Sequence, residues 1–441
     1  MARLFGTDGI RGKANSDLSC EIAFRLGQAV VNFEGSDILV GKDTRISGDM
    51  LESALIAGIT SCGGNAHLAG IIPTPAVAHL VRSNNLSGGV MISASHNPPE
   101  YNGLKVFDSR GLKLPDKVED EIEEFILNGG SASDKLPAGD KVGKAFYLEN
   151  ATDEYVSFIV DSVLSQDITF AGLKVALDAG HGAAFDTSYL ALTKLGAGVV
   201  AINRDFSGTD INVKCGSTHL EPLAKLIQDS GADIGIAHDG DADRVMMLSS
   251  KGIEIDGDIM LAVLAFDMKS RDVLRNNTVV GTVMSNMGLK VSLKEQGIDF
   301  VATKVGDRYV LEEMLNNNYA IGGEQSGHII MLDYNTTGDG LMSAVQFLAA
   351  VQRAGKTVDE AISFYEKFPQ VLINVEVSDK NSAMSDESVQ EMLQRAEEEL
   401  GETGRVLLRP SGTEPVIRVM VEAQDKVLAQ DLAEQIAAKL K

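Results

Sequence analysis

The sequence has few cysteines, no long apolar run and a shortage of basic residues, and each scarcity excludes a class of protein. Cys20, Cys62 and Cys215 are odd in number, far apart and without metal-ligand spacing, so we expect a reducing compartment and no disulfide framework. The longest apolar run, from Ile259 to Phe266, is too short to span a bilayer, and residues 1–12 lack the hydrophobic core of a signal peptide. We therefore expect a cytoplasmic protein.

Basic residues are outnumbered by acidic ones. The sequence has 39 Lys and Arg against 63 Asp and Glu, and the resulting net charge of −24 is spread along its whole length. Such a charge repels phosphate backbones and anionic lipids, so we expect neither nucleic acid nor membrane as a partner. An anionic substrate would need local clusters of Arg and Lys, or a divalent cation.

The order of predicted elements indicates several domains. At 441 residues the chain is long enough for about three domains of ordinary size. A strand, a polar loop and a helix recur from Asp37, Leu173 and Thr278, which predicts three similar α/β domains with mixed sheets. After about residue 366 the pattern becomes β-α-β-β-α, typical of a smaller C-terminal α+β domain. The domain boundaries that we predict, the first of them near a small and polar stretch at 129–139, are 1–150, 151–252, 253–366 and 367–441.

A short apolar run ends in small polar residues. The run from Gly89 predicts a buried strand that delivers Ser95 and His96 onto a loop before two prolines. Ser95 is a candidate nucleophile, because a hydroxyl beside an imidazole can accept and return a transferable group. Lys105 follows on a strand that returns toward Ser95, where its ammonium would offset phosphate charge or transfer a proton. The alternatives are a polar strand end with a proline turn and an ordinary solvated lysine.

Three carboxylates follow another predicted strand. Asp239, Asp241 and Asp243 come directly after the apolar stretch 232–238. On an extended or turning loop they would converge and repel one another, which raises carboxyl pKa values unless a cation binds. Oxygen ligands favour Mg²⁺ or Ca²⁺ over zinc. The sequence therefore predicts a site for a hard divalent cation.

Glycine-rich segments supply further candidate ligands. Glycines frame Arg11, which predicts a loop near the surface with this residue as a phosphate ligand or a solvated charge. In a later segment Glu324, Ser326 and His328 alternate between glycines, where they suit sugar hydroxyls or an amine. A plain glycine-rich hairpin is the alternative.

A last segment lies between the final two predicted strands. Its guanidinium, hydroxyl and backbone N–H groups would form a phosphate cradle, although hairpin loops often have this composition. The residues are Arg409, Ser411, Gly412, Thr413 and Arg418.

A nucleophilic serine, a metal loop, a hydroxyl-binding segment and a phosphate cradle together indicate phosphoryl transfer to a phosphorylated sugar. The same segments resemble, in the same order, the motifs of the α-D-phosphohexomutase superfamily. They are Gly6-Thr-Asp-Gly-Ile-Arg-Gly12, Ser93-Ala-Ser-His-Asn-Pro98, Asp239-Gly-Asp-Ala-Asp-Arg244, Gly323-Glu-Gln-Ser-Gly-His328 and Arg409-Pro-Ser-Gly-Thr-Glu-Pro415.

The resemblance implies a heart-shaped, four-domain enzyme with a central cleft, an intramolecular phosphotransferase of the isomerase class. It implies that Ser95 is phosphorylated in the active enzyme and that its phosphate and the three aspartates hold one Mg²⁺. Arg11, Lys105 and His328 match positions of proton transfer or charge stabilisation. Glu324 and Ser326 match contacts to sugar hydroxyls, and the residues around Arg409 match the phosphate clamp.

The identity of the sugar substrate is the most specific expectation. Gln325 is similar to the branch of the superfamily that interconverts glucosamine 6-phosphate and glucosamine 1-phosphate for UDP-N-acetylglucosamine synthesis. The resemblance thus implies a glucosamine 1,6-bisphosphate intermediate that turns end for end. The alternatives are phosphomannomutase/phosphoglucomutase activity, a non-catalytic sugar-phosphate sensor and a metal-dependent phosphomonoesterase. The sequence leaves open whether the protein forms a homodimer and whether a kinase first phosphorylates Ser95.

Overall fold

The computed structural model describes residues 3–6, 8–129, 136–410 and 415–440. Residues 130–135 of the predicted linker lie outside the described residues. The chain forms two compact units, the first of Met1–Met284 with Asp299–Ile362 and the second of Ser285–Ile298 with Ser363–Lys441. None of the described helices has the length and apolar character that a membrane crossing requires.

The first sheet of the first unit carries the Ser95 strand at its centre. Its strands are β1 (Phe5–Gly6), β2 (Gly9–Lys13), β3 (Asp37–Lys42), β4 (Asn65–Ile71), β5 (Gly88–Ile92), β6 (Tyr101–Asp108) and β7 (Ala145–Tyr147). They lie in the order β1-β2-β6-β5-β3-β4-β7, with β3 and β5 parallel and β5 and β6 antiparallel. The sheet's helices are α1 (Cys20–Phe33), α2 (Gly48–Ser61), α3 (Thr74–Ser83) and α4 (Asp116–Leu127).

Arg11 does not lie on a loop, so that prediction was wrong. It belongs to β2, which pairs antiparallel with β6 so that Arg11 lies opposite Gly103. Gly9 permits both a turn and the close approach of β2 to β6. Its φ is 78°, and a Cβ there would lie 2.3 Å from the carbonyl oxygen of Leu104. A glycine-rich sequence therefore forms an edge of the sheet.

The second sheet carries the aspartate loop between two adjacent strands. Its strands are β8 (Lys174–Asp178), β9 (Gly198–Ile202), β10 (Ile234–His238), β11 (Val245–Ser249) and β12 (Glu254–Ile255). The order is β12-β11-β10-β8-β9, with β8 parallel to β9 and β10, and β10 antiparallel to β11. The accompanying helices are α5 (Ala151–Leu164), α6 (Thr187–Lys194) and α7 (Glu221–Ser230).

The third sheet has the order β14-β13-β15-β16 and is again mixed. Its elements are α8 (Gly257–Ser270), β13 (Thr278–Thr282), β14 (Asp299–Thr303), α10 (Asp307–Asn317), β15 (Ile321–Gly323), β16 (Ile329–Met331), α11 (Gly340–Arg353) and α12 (Val358–Ile362). Between β13 and β14 the chain contributes α9 (Met287–Glu295) to the second unit. Helix α11 is buried along most of its length, as its apolar sequence predicts.

The second unit is built on the antiparallel sheet β17-β19-β18. Its elements are β17 (Gln370–Glu376), α13 (Lys380–Met384), α14 (Glu387–Leu400), β18 (Gly404–Pro410), β19 (Val416–Ala423) and α15 (Lys426–Lys439). The buried carboxylate of Glu422 accepts hydrogen bonds from Asn286 at 2.9 Å and Arg405 at 2.7 Å, which tie the start of α9 to this sheet. The predicted fold class, three α/β domains with mixed sheets and a C-terminal α+β domain, is confirmed.

Candidate functional site

Ser95 lies just beyond the end of β5 in an unusual backbone conformation. Its φ is 52°, in the left-handed region that residues with a side chain rarely adopt, and it is 1% exposed. The hydroxyl donates a hydrogen bond to Asp239 Oδ2 at 2.6 Å and lies 3.3 Å from His96 Nδ1. The backbone therefore aims Ser95 at the aspartate loop, as a nucleophile on a strand-end loop requires.

The aspartate loop joins β10 to β11 and brings three carboxylates together. One oxygen each of Asp239, Asp241 and Asp243 lies within 4.8 Å of the others, and all three residues are buried. Gly240 allows the close approach, because a Cβ there would lie 2.7 Å from the Ser95 carbonyl oxygen. The predicted convergence of these carboxylates beside Ser95 is thus present in the structure.

The aspartates fit a hard divalent cation. Asp241 Oδ1 and Asp243 Oδ1 are buried and have no hydrogen-bond partner among the described residues. Unpartnered buried carboxylate oxygens are costly unless a cation or a proton meets them. An all-oxygen set of this kind suits Mg²⁺. These three residues would hold the ion, which neutralises charge on a phosphoryl group when it is bound.

Asp239 and Asp243 titrate differently because their neighbours differ. Burial, and then repulsion from Asp243 and Asp241, raises the pKa of Asp239 well above its usual range. Burial alone would also raise the pKa of Asp243, but Lys105 and His328 hold it well below that range. Repulsion among the carboxylates of the loop therefore acts mainly on Asp239, the carboxylate that accepts a hydrogen bond from the Ser95 hydroxyl.

Lys105 lies on β6, the strand that we predicted to return toward Ser95, and its side chain contacts the aspartate loop. Strand β6 pairs antiparallel with β5 and places Lys105 opposite Met91. The ammonium lies 2.7 Å from Asp241 and 3.2 Å from Asp243, and the side chain is 1% exposed. Burial disfavours its charge, but Asp241, Asp243 and Asp8 raise the pKa of Lys105 well above its usual range. Lys105 is thus a permanent cation beside the carboxylates.

Lys105 belongs to a closed ring in which acidic and basic side chains alternate. Lys105 contacts Asp8 at 3.0 Å, and Lys113 contacts both Asp8 and Asp307. His328 lies 3.6 Å from Asp307 and 3.7 Å from Asp243, which closes the ring back to Lys105. Burial would lower the pKa of His328, but Asp243 and Asp307 raise it. The ring thus links the aspartate loop to the turn before β2, to β6, to the segment after β6, to the start of α10 and to the segment before β16.

Arg11 and His96 lie at the border of the ring. The Arg11 guanidinium pairs with Asp8, and its buried Nε has no hydrogen-bond partner among the described residues. Burial, followed by repulsion from Arg244 and Arg11, lowers the pKa of His96 to about 4. His96 is therefore a neutral hydrogen-bond acceptor or donor at pH 7, and Arg11 retains a donor for an anion.

The segment between β15 and β16 joins the ring through its last residue, His328. Glu324 is half-buried and accepts a hydrogen bond from the Gly306 N–H at 3.0 Å, next to Asp307. Ser326 is exposed, whereas His328 is buried in the ring. Gln325 donates to Asp256 Oδ2 at 3.2 Å and so braces this segment against the start of α8. The structure therefore places His328 in the ring, while the sugar contacts of Glu324 and Ser326 remain predictions.

The predicted phosphate clamp belongs to the second unit. Arg409 on β18 lies directly opposite Arg418 on β19, and both side chains are half-buried. Two guanidinium groups that face each other across adjacent strands can bind one anion together. The pair is thus a reasonable anion site, while Ser411, Gly412 and Thr413 lie outside the described residues.

Several residues of the site were missed in the sequence. Asp8 lies inside the motif that also contains Arg11, which was the available signal for it. Asp307 is the first residue of α10. Lys113 gave none, because an isolated lysine after a strand is usually solvated. It turns inward because a bridge between Phe107 and Lys113 holds it against β6.

Lys113 provides a test of the ring. Lys113→Met should lower the free energy of unfolding by about 3 kcal/mol, because it leaves two poorly solvated carboxylates, Asp8 and Asp307, without a shared cation. The matched Lys117→Met change removes an exposed lysine 3.9 Å from Glu121 and should cost less than about 0.5 kcal/mol. Urea unfolding followed by circular dichroism suits a chain without tryptophan. Equal effects of the two changes would show that the ring does not stabilise the fold.

Four family models match nearly the whole chain. They are phosphoglucomutase/phosphomannomutase alpha/beta/alpha domain I over residues 2–133, domain II over 153–252, domain III over 256–368 and the C-terminal domain over 372–439. The boundaries that we predicted between the domains remain predictions.

Relatives and solved structures agree with these models. A phosphoglucosamine mutase from Ruminiclostridium cellulolyticum is 50% identical over 444 aligned positions, which cover 99% of this chain and 98% of the relative. The crystal structure of a phosphoglucomutase/phosphomannomutase family protein from Burkholderia thailandensis has a TM-score of 0.83 at 23% identity, covering 100% of this chain and 97% of that one. The structure of Aspergillus fumigatus N-acetylphosphoglucosamine mutase in complex with GlcNAc-6P and magnesium has a TM-score of 0.70 at 17% identity, with coverages of 99% and 95%.

The matches extend over all four regions in which the chain's own motifs lie. At these identities the solved structures show the fold, while the family models and the 50% identical relative show the family. This chain belongs to the phosphoglucomutase/phosphomannomutase family, the phosphohexomutases.

Proposed function

We propose that this protein interconverts glucosamine 6-phosphate and glucosamine 1-phosphate by passing a phosphoryl group through Ser95. The observation that carries the proposal is the Ser95 hydroxyl, 2.6 Å from one of three clustered, buried aspartates. The relative from R. cellulolyticum, called a phosphoglucosamine mutase, supports the choice of sugar. The protein is then an isomerase that acts as an intramolecular phosphotransferase.

Ser95 carries the phosphoryl group between the two ends of the sugar. In the first half-reaction the bond from phosphorus to Ser95 Oγ breaks while a bond to a sugar hydroxyl oxygen forms. The resulting glucosamine 1,6-bisphosphate turns end for end, and Ser95 takes the other phosphoryl group. As Ser95 attacks, its proton passes to one of its two hydrogen-bond neighbours, Asp239 Oδ2 at 2.6 Å or His96 Nδ1 at 3.3 Å. The same proton returns when the phosphoseryl group leaves.

The remaining charged groups act on the transferring phosphoryl group and the sugar. Asp239, Asp241, Asp243 and the seryl phosphate are the ligands that we assign to one Mg²⁺. Arg11 and Lys105 stabilise phosphoryl charge, and His328 exchanges the proton of the sugar hydroxyl. The buried position of Lys105 and the raised pKa of His328 support this assignment.

Binding of the substrate is assigned to two further groups. Glu324 and Ser326 would bind sugar hydroxyls or the amine. The phosphate that is not reacting would bind Arg409 and Arg418 together with Ser411, Gly412 and Thr413. The facing arginines support this role, because two cations on adjacent strands favour a dianion between them.

Localisation and partners follow from the proposed activity. We assign the protein to the cytoplasm, where sugar nucleotides are made, with a phosphosugar as its small-molecule partner. A homodimer and a kinase that first phosphorylates Ser95 remain predictions.

Substrate preference is tested by phosphorus NMR of the phosphorylated protein with Mg²⁺. Glucosamine, glucose and mannose 6-phosphates are supplied separately, and conversion to the 1-phosphate is followed. We expect the glucosamine ester to react at least about 10-fold faster, a difference of about 1.4 kcal/mol in transition-state binding. Faster conversion of the glucose or mannose ester would instead support a phosphoglucomutase or phosphomannomutase.

A further inference from the structure

One buried arginine that the proposed reaction does not use lies inside the Ser95 loop. The Arg45 guanidinium donates hydrogen bonds to the carbonyl oxygens of Ser95 and Asn97 at 2.8 Å each and of Tyr101 at 2.9 Å. It also donates to the carbonyl of Pro98. A single planar group thus binds four carbonyls between residues 95 and 101, the whole loop that presents the serine.

The partner of Arg45 also fixes the other side of Ser95. Asp43 Oδ2 accepts from Arg45 Nε at 2.9 Å and from the Ser93 hydroxyl at 2.6 Å. Ser93 Oγ in turn accepts the backbone N–H of Ser95 at 2.9 Å. Both side chains of the Asp43–Arg45 pair are fully buried, so water does not compete with these bonds.

Ser95 needs such support because of its backbone conformation. A left-handed φ at a residue with a side chain is strained and persists only where the surroundings enforce it. Here Arg45 and Asn212 hold the carbonyl of Ser95, the latter through Nδ2 at 2.9 Å, and Ser93 holds its N–H. Both peptide groups that flank the strained φ are therefore fixed.

We propose that Arg45 is the positioning residue of Ser95, acting through the loop carbonyls to hold the hydroxyl at the aspartate loop. The inference rests on the proposed function only in that Ser95 is taken as the phosphoryl carrier. For in-line phosphoryl transfer, the Ser95 hydroxyl must be aligned with oxygens at both ends of the sugar. A displacement of about 1 Å from such a geometry can lower the rate about 100-fold.

The variant that tests the proposal is Arg45→Lys. Lysine keeps the positive charge for Asp43 but lacks the planar fork that reaches several carbonyls at once. We expect kcat to fall about 100-fold with KM within about threefold of the original, because binding groups are untouched. We also expect backbone hydrogen exchange in residues 93–101 to become at least about 10-fold faster, with manganese affinity within about threefold.

A second arginine serves as the matched control. Arg82 is half-buried and donates to the carbonyl of Tyr334 at 3.2 Å and to Asn335 at 2.9 Å, so Arg82→Lys removes comparable bonds elsewhere in the same unit. It should leave kcat and exchange in 93–101 unchanged. Rates are measured by phosphorus NMR and exchange by mass spectrometry.

The two readouts separate the two claims. Wild-type exchange in 93–101 for Arg45→Lys would overturn the positioning role, as would a kcat loss no larger than that of Arg82→Lys. If the unaltered protein converted no phosphohexose, the proposed function would fail, and the exchange measurement would still decide the role of Arg45.

Discussion

Replacing Ser95 with alanine is expected to lower turnover of glucosamine 6-phosphate by at least about 10⁴-fold, as the loss of a covalent nucleophile does in other enzymes. Alanine removes the oxygen to which we assign the phosphoryl group. The fold should survive, because the side chain loses two hydrogen bonds, to Asp239 and His96, and gains no steric conflict. Phosphorus NMR of the ester pool measures the rate.

The control for Ser95→Ala is Ser53→Ala, on the exposed side of α2, where the hydroxyl donates only to the Asp49 carbonyl. That variant should keep full activity. Turnover by Ser95→Ala within about 10-fold of the original would mean that phosphate moves without a seryl intermediate.

Replacing Asp241 with asparagine is expected to weaken manganese binding at least about 100-fold and turnover by about 10³-fold. Loss of an outer-sphere partner alone costs about 10 to 100-fold in metal affinity, and a charged ligand should cost more. Asp241 is suited to this role because its Oδ1 has no hydrogen-bond partner in the described part of the chain. Isothermal titration with manganese measures the affinity, and phosphorus NMR measures the turnover.

A substitution at Thr74, which contacts Asp241, separates the effect of the carboxylate's charge from the effect of its orientation. The Thr74 hydroxyl donates to Asp241 Oδ2 at 2.5 Å, so Thr74→Val removes an orienting bond but keeps the carboxylate. We expect at most about a 10-fold loss of affinity for this control. Equal manganese affinity in Asp241→Asn and the unaltered protein would remove this aspartate from the metal site.

The parts of the site that follow strand ends could be predicted from the sequence. Ser95 and the three aspartates each follow a short apolar run, and polar residues after such runs meet at the edges of sheets. Lys105 was also predictable, because a turn and a second apolar run imply an antiparallel return. In each case the point at which an apolar run ends and polar residues begin contains the needed information.

The closed ring of charges could not be predicted in this way. Its bridges join residues as far apart as Lys113 and Asp307, 194 positions along the chain. Local patterns do not indicate which lysine will turn inward, since burial of a charge depends on partners from other elements. Arg45 is a similar case, because its partners are backbone carbonyls, which every sequence has.

Arg11 shows a different limit. Its flanking glycines indicated a loop, but the structure uses Gly9 to bring β2 close to β6. Glycine favours turns and close backbone contacts alike, so its presence alone does not distinguish them.

Transfer of label from Ser95 tests the central claim most directly. Protein carrying radioactive phosphate on Ser95 is mixed with Mg²⁺ and unlabelled glucosamine 6-phosphate, and protein, sugar esters and inorganic phosphate are separated. The account predicts that the label leaves the protein and appears in glucosamine bisphosphate and monophosphate. Label that remains on the protein would indicate a sensor, and label released as inorganic phosphate would indicate a phosphatase; either result would contradict the proposed mutase.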